Sequence, residues 1–280
     1  MAKTPRRPPA NSQKAILGVA AKLSDAFSGE DDCPDAAPMP PAVRDAILAA
    51  PESADSPEIL AAIARVTDAA ARNNAAILAD RAAERRAASE VARESKWETS
   101  DAPQRHSRRE LAELMRAPRW ARAWERLRGL LGRPGGTLTA VIGPRGVGKT
   151  QFGTEAIRHY CLNLGRHGRY VKAVSFFAEL RATWKPKGPE TEEKVLNRFS
   201  RVPLLVIDAL EERSEFEWEG RMLTEVLDDR YLGERDTLLF SNHTLEGFER
   251  AMGESVMSRI DETGTIIVCD WASFRQKGGA

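Results

Sequence analysis

The sequence predicts an α/β fold in which a parallel sheet of five strands carries helices on both faces and follows a helical N-terminal region. From residue 137 onward, apolar runs suited to strands alternate with helical patterns, which is typical of a parallel sheet. A glycine-rich segment at 143–150 directly follows the first run, and a later run ends in Asp208. The predicted strands are 137–142, 169–175, 203–208, 236–241 and 264–270, and the predicted helices between them are 150–165, 190–200, 218–232 and 244–260.

The glycine-rich segment GPRGVGKT fits G-x-x-x-x-G-K-[ST], the phosphate-binding P-loop. Its glycines let backbone N–H groups turn toward phosphate oxygens, Lys149 places a cation on the β- and γ-phosphates, and the Thr150 hydroxyl is a magnesium ligand. The alternative is a glycine turn that binds nothing. The flanking strand and helix favour a P-loop NTPase fold with ATP and Mg²⁺ as cofactors. The predicted ATP-binding residues are Gly143, Pro144, Arg145, Gly146, Val147, Gly148, Lys149 and Thr150.

The run LLVID at 204–208 is an apolar strand that ends in an acid, the Walker B pattern. Asp208 is predicted to hold Mg²⁺ together with Thr150. Hydrolysis usually needs another acid at the next position, which here is Ala209. Glu211 and Glu212 follow, but a shift of two or three positions moves a carboxylate by several ångströms, and such misplacement can cost about a hundredfold in rate. The sequence therefore predicts nucleotide binding but leaves rapid hydrolysis, and a substitute base, open.

Two more residues are candidates for catalysis. Asn242 follows the fourth strand, whose tip in this fold lies between the P-loop and Asp208, so its amide can orient the lytic water. Capping of the next helix is an equally good interpretation of this asparagine. Arg259 lies near the end of a short helical stretch. It is either an ordinary solvated arginine or a group that reaches a neighbouring subunit's nucleotide.

Composition excludes several classes of protein. The 42 Lys and Arg residues nearly balance 41 Asp and Glu residues, although 25–58 is acidic and 105–133 is rich in arginine. Such asymmetry is compatible with a nucleic-acid partner, but a solvated face is the commoner cause. No run reaches the roughly 18 apolar residues of a membrane span, and Cys33, Cys161 and Cys269 are too scattered for a zinc site or a disulfide framework. We expect a cytoplasmic protein.

The N-terminal third differs from the rest of the chain. An alanine-rich helix is predicted from about 57 to 96, and its apolar face is thin, so it needs a partner within its own domain or on another protein. Trp120 and Trp124 share a helical face, and we expect them to pack in the core rather than stack on bases. The predicted organisation is disorder at 1–11, a helical region at 12–97 that opens with a short helix at 12–28, a linker at 98–109, and an ATP-binding domain at 110–280.

Taken together, the motifs resemble those of the DnaC/IstB-like AAA+ ATPases, most of all the DnaC-type replicative helicase loaders, over residues 110–276. The terminal cluster WASFR at 271–275 is the most family-specific feature and favours the DnaC branch. The other motifs that carry the resemblance are 143–150, 204–208, Ser241-Asn242 and the run GESVMSR at 253–259.

The resemblance implies roles for individual residues. Asn242 becomes sensor 1, Arg259 the arginine finger, and Arg275 a sensor-2-like arginine that contacts ATP. The family has glutamate where this chain has Ala209, which puts catalysis rather than binding in doubt. The family also lacks the usual C-terminal helical lid, and we expect the same here.

The resemblance also implies partners. They are a DnaB-type replicative helicase bound through residues 12–97, single-stranded DNA near 213–218, and further copies of the chain with nucleotide at the subunit interface. Phe216 and Trp218 are the candidate base-stacking residues, although Trp218 can equally pack under its own helix. No membrane partner is expected. The implied function is ATP-dependent loading of the replicative helicase; the alternatives are an IstB-like transposition ATPase and a non-hydrolysing ATP-gated adaptor.

Overall fold

The computed structural model describes residues 57–185, 190–214 and 217–275. The predicted disorder at 1–11, the predicted helix at 12–28 and the candidate Phe216 lie outside these residues. The chain divides into two units, with the boundary between Ala87 and Ala88.

Helix α1, Pro57–Glu98, confirms the predicted alanine-rich helix. Alanine is the strongest helix former, and proline is well tolerated at the first helical position. Where its side chains are described they are mostly exposed, and Ile77, at the end of the predicted apolar face, is 38% exposed. The last turns belong to the second unit, within which Arg93 donates to the carbonyl of Leu162 (3.0 Å) and Lys96 to that of Gly165 (2.7 Å).

Three short helices lead into the sheet: α2 (Gln104–Ser107), α3 (Leu111–Leu114) and α4 (Pro118–Arg128). The first of them falls inside the predicted linker at 98–109, where His106 hydrogen-bonds Gln151 at 2.9 Å. On α4, Trp120 and Trp124 are almost fully buried, and Trp120 stacks on Phe152 with ring centroids 4.5 Å apart. The expectation that both tryptophans belong to the core is confirmed.

The sheet has five parallel strands, as predicted, and their order is β2-β3-β4-β1-β5. The strands are β1 (Leu138–Ile142), β2 (Gly168–Lys172), β3 (Leu204–Asp208), β4 (Asp236–Ser241) and β5 (Thr265–Val268). The remaining helices are α5 (Lys149–Arg158), α6 (Ala173–Ala182), α7 (Glu192–Arg201), α8 (Glu217–Leu232) and α9 (Leu245–Thr263). Helices α4 and α5 cover one face and α6 to α9 the other, so the central strands are buried on both faces and read as continuous apolar runs.

One predicted strand is too long. We predicted a strand at 169–175, but β2 ends at Lys172 and helix α6 begins at Ala173. The run of apolar residues there suits a strand or a buried helix equally well. The segment from Ala173 is a helix because helical spacing places Phe176, Phe177 and Leu180 together in the core. The predicted helix at 150–165 is interrupted as well, since a π-helical turn, His159–Asn163, follows α5.

A buried arginine ties the ends of two strands to helix α8. Arg230 is fully buried and donates to the carbonyls of Phe199 (2.8 Å) and Val202 (2.7 Å) and to the Thr237 hydroxyl (2.8 Å). It also bonds the backbone carbonyl of Asp236. Burial lowers the pKa of Arg230 to about 9, which reflects the cost of placing this charge in the core.

The carboxylate of Asp236 supplies the compensating negative charge. It accepts hydrogen bonds from the backbone N–H groups of Gly132 (2.6 Å) and Thr137 (2.8 Å) and from the Tyr160 hydroxyl. Burial raises the pKa of Asp236, and these donors oppose that shift. Asp236 and Arg230 thereby join the segment before β1, the P-loop helix region and β4 at the amino end of the sheet.

Candidate nucleotide-binding site

The P-loop connects β1 to α5 and needs glycine at specific positions. Gly146 has φ +89°, and a Cβ there would lie 2.0 Å from the Ser273 hydroxyl oxygen. Gly143 has φ +143°, and its Cβ would lie 2.4 Å from the carbonyl oxygen of Cys269. Only glycine therefore combines this backbone conformation with such close packing against the chain after β5.

Lys149 is buried in the loop. Its ammonium donates to the carbonyls of Gly143 (2.6 Å) and Pro144 (2.8 Å). Burial lowers the pKa of Lys149, whereas the negative charges of Asp208 and Glu211 act in the opposite direction. A cation whose hydrogen-bond acceptors are neutral carbonyls can turn to the charged phosphates of a nucleotide.

Thr150 and Asp208, predicted to share Mg²⁺, are brought together. The Thr150 hydroxyl donates to Asp208 Oδ2 at 2.8 Å. Hard oxygen donors of this kind suit Mg²⁺, which binds through one or two protein ligands with phosphate oxygens and water. Within the described residues, no group of three or more His, Cys, Asp and Glu side chains forms a metal site. The donor set therefore fits a nucleotide-bound magnesium rather than an all-protein cage.

Sequence reasoning missed Tyr170. It lies on β2 beside β3, and its hydroxyl donates to Asp208 Oδ2 at 2.5 Å. Burial and the adjacent Asp208 carboxylate raise the pKa of Tyr170, which keeps it a hydrogen-bond donor. The Ala209 N–H donates to the other oxygen, Oδ1, at 2.7 Å, so both oxygens of Asp208 are fixed in direction. A single tyrosine in an apolar strand gives no sequence signal of such a role.

Asn242 lies at the tip of β4, between β1 and β3 as predicted. The interpretation of Asn242 as a helix cap is wrong, because Thr244 caps α9 by accepting from the Gly247 N–H at 3.2 Å. Asn242 instead donates to Glu211 through both its backbone N–H (2.9 Å) and its side-chain amide.

The terminal cluster 271–275 packs directly on the P-loop. The Trp271 indole N–H donates to the carbonyl of Val147 (3.0 Å), and the Phe274 N–H donates to that of Gly146 (2.9 Å). Arg275 is exposed, and its charge is close enough to Lys149 to contribute to the lowering of that lysine's pKa. The cluster thus places Arg275 beside the candidate phosphate site.

Arg259 lies elsewhere. It is on α9 after the kink at Gly253, where it pairs with Asp228 on α8 at 3.0 Å and lies over the ring of Tyr231, 5.4 Å from the centroid. Both partners are on helix α8 rather than at the P-loop. Its role as an arginine finger, which concerns a neighbouring subunit, stays a prediction.

The candidate DNA residue Trp218 packs edge-on against Phe177 and Trp184, with ring centroids 6.2 and 4.7 Å away. It is partly buried, whereas Trp184 is 57% exposed. Sequence reasoning overlooked Trp184, although its flanking Lys185 and nearby Arg181 form a basic and aromatic pattern.

The comparisons with known proteins concern this same part of the chain. Residues 136–272 match the model of the IstB-like ATP binding protein family. The replicative helicase loader DnaC of Buchnera aphidicola subsp. Baizongia pistaciae is 28% identical over 136 residues, which cover 48% of this chain and 55% of that protein. The corresponding protein of Escherichia coli K12 is 27% identical over 136 residues, with the same coverage of 48% and 55%.

The chain spans about half the length of these curated relatives. A crystal structure described as that of the DnaC helicase loader aligns with 53% of this chain and 86% of that chain, at 21% identity and a TM-score of 0.45. Among the residues that the structure describes, no helix is both long and apolar enough to cross a membrane. The predicted resemblance is confirmed: residues 136–272 match the model of the IstB-like ATP binding protein family and are similar in sequence to DnaC helicase loaders.

Proposed function

We propose that this protein is an ATP-dependent loader of the replicative DNA helicase. The observation that carries the proposal is the convergence of Lys149, Thr150 and Asp208 at one edge of the sheet, with Thr150 and Asp208 2.8 Å apart. Sequence similarity to replicative helicase loaders supports the biological role.

The binding step follows from the contacts of the P-loop. Lys149 exchanges the carbonyls of Gly143 and Pro144 for the β- and γ-phosphates, which are stronger acceptors because they are charged. Thr150 and Asp208 would hold Mg²⁺, which supplies positive charge to the phosphates when bound. Arg275 approaches the same phosphates from the terminal cluster.

Hydrolysis and assembly involve the rest of the site. Asn242 would orient water near the γ-phosphate, and Arg259 would reach the nucleotide of an adjacent copy. In that assembly, each nucleotide lies between two subunits, and its occupancy favours the form that grips single-stranded DNA and the helicase. Residues 12–97 bind the helicase in this proposal, an assignment that comes from the resemblance alone.

For the single-stranded DNA, the exposed Trp184 and its neighbour Trp218 offer a stacking surface. Aromatic stacking contributes about 1–3 kcal/mol per base without sequence preference. The exposure of Trp184 and the edge-on contact of the two rings, 4.7 Å between centroids, favour this pair over Trp218 alone.

The loader role is tested by mixing the purified full chain with the replicative helicase of its own genome, with and without Mg-ATP, and measuring complex formation by light scattering. We expect a complex whose stability depends on ATP and falls with Lys149→Ala. The absence of a complex under both conditions would refute the role, even if ATP binding is intact.

A second candidate is an IstB-like transposition ATPase, because the matching family model is that of the IstB-like ATP binding proteins. Preference for duplex over single-stranded DNA, and a transposase gene beside this one, would favour it. A third candidate is a non-hydrolysing, ATP-gated adaptor, because Ala209 follows Asp208 at the position where the resemblance implies a glutamate. ATP binding without any turnover, with or without single-stranded DNA, would favour this adaptor.

A further inference from the structure

We infer that Glu211 is the general base for ATP hydrolysis in this chain and takes the place of the carboxylate missing at Ala209. The inference rests on the proposed binding of Mg-ATP at the P-loop. Glu211 lies two positions after Ala209, where the catalytic carboxylate usually stands. The backbone therefore has to return the Glu211 carboxylate to the edge of the sheet.

The turn after β3 does this. Ala209 adopts a left-handed conformation with φ 59° and ψ 47°, which reverses the chain immediately after Asp208. A short 3₁₀ turn, Leu210–Glu212, follows, and Leu210 anchors it because its side chain is fully buried. In this turn, Glu211 points toward β4. Within the described residues, the neighbouring Glu212 carboxylate forms no hydrogen bond or ion pair.

The bonds of Glu211 place its carboxylate at the catalytic edge. Its Oε2 accepts from the Asn242 N–H (2.9 Å) and the Ser241 hydroxyl (3.3 Å), and its Oε1 accepts from the Asn242 side-chain amide. Because β4 lies between β1 and β3, this position is flanked by the P-loop and Asp208. The negative charge of Glu211 also opposes the lowering of the Lys149 pKa by burial.

Asp208 is placed for a different task. Its Oδ2 accepts from both Thr150 (2.8 Å) and Tyr170 (2.5 Å), and its Oδ1 accepts from the Ala209 N–H (2.7 Å). Its contact with Thr150, the other predicted Mg²⁺ ligand, assigns Asp208 to the metal, whereas the carboxylate of Glu211 is bonded to the tip of β4. Glu211 is held by the side chain and backbone of Asn242, the residue expected to meet the γ-phosphate, and so lies where the lytic water would be.

Hydrolysis forms one bond to the γ-phosphorus and breaks another. A water oxygen forms a bond to the γ-phosphorus while a Glu211 oxygen takes one of its protons. The bond from the γ-phosphorus to the β,γ-bridging oxygen breaks, and its electron pair leaves with ADP. The proton then passes from Glu211 to solvent, which leaves inorganic phosphate and an ionised carboxylate for the next cycle. General-base catalysis of this kind typically contributes about 10²–10⁴-fold in rate.

The test compares Glu211→Gln with Glu212→Gln, the same chemical change one residue away. Single-turnover ATP hydrolysis and Mg-dependent ATP binding are measured on the full chain. We expect Glu211→Gln to lower the hydrolysis rate by at least about a hundredfold while it binds ATP like the wild type, and Glu212→Gln to stay within about twofold of the wild type in both. Glu211→Asp keeps the charge but withdraws it by one methylene, and its hydrolysis rate should fall at least about tenfold. If Glu211→Gln does not fold, the rate of Glu211→Asp tests the inference in its place.

Three results would overturn the inference. They are equal rate losses in Glu211→Gln and Glu212→Gln, a wild-type rate in Glu211→Asp, and a wild-type protein that binds Mg-ATP but does not hydrolyse it. A wild-type protein that fails to bind Mg-ATP at all is a different result, since it refutes the proposed function itself.

Discussion

Replacement of Arg230 by methionine tests how the sheet is held at its amino end. The guanidinium is fully buried and is bonded to the carbonyls of Phe199 and Val202 and to the Thr237 hydroxyl at 2.7–2.8 Å. Methionine fills a similar volume but donates nothing. The change leaves these acceptors without that donor, at about 1–3 kcal/mol each, and leaves the buried charge of Asp236 less compensated.

Three acceptors at the lower part of that range give a loss of about 3–5 kcal/mol, and that is the loss we expect in the free energy of unfolding. For a unit of this size it corresponds to a fall in Tm of roughly 2–4 °C per kcal/mol, or about 6–20 °C in total. The assay is thermal and urea unfolding followed by circular dichroism.

Arg221→Met is the matched control, because Arg221 is an exposed residue of the same helix α8. Surface changes of this kind usually stay within about 0.5 kcal/mol. If Arg230→Met and Arg221→Met unfold within about 1 kcal/mol of each other, the interpretation of Arg230 as the connection between α8, β3 and β4 is refuted.

Three further outcomes are expected. Thr150→Val should abolish most of the Mg²⁺ dependence of ATP affinity, with Tm nearly unchanged, in titrations with and without Mg²⁺; retained Mg²⁺ dependence would contradict the shared site with Asp208. Burial raises the pKa of the Cys269 thiol to about 12, so at pH 8 it stays protonated, and iodoacetamide should modify it only after unfolding, as followed by peptide mass mapping; rapid native labelling would contradict this packing. Trp184→Ala should weaken single-stranded DNA binding by about 1–3 kcal/mol in a fluorescence anisotropy titration, and an unchanged affinity would exclude the stacking surface.

The features that sequence predicted well are those with a local physical signature. The P-loop combines a fixed spacing of glycines, Lys149 and Thr150 with a strand before it and a helix after it, and the structure places all of them as expected. Asp208 was predictable because it ends a fully apolar strand. The parallel sheet followed from the alternation of strands and helices, which needs no tertiary information.

The features that sequence missed depend on tertiary contacts. Helix α6 follows β2 without a turn signal, so the apolar run at 169–175 was extended as a strand. Tyr170 matters only because β2 pairs with β3, which places its hydroxyl on Asp208. The direction of Glu211 is set by the left-handed conformation of Ala209, which is uncommon for a non-glycine residue and has no sequence signature.

The central claim is that Mg-ATP binds at the P-loop through Lys149, Thr150 and Asp208. The most direct measurement is an equilibrium titration of the full chain with a fluorescent ATP analogue, in the presence and absence of Mg²⁺, for the wild type and Lys149→Ala. We expect saturable binding that strengthens with Mg²⁺ in the wild type and is lost in the variant. Binding that is absent, or indifferent to both Mg²⁺ and Lys149, would contradict the claim.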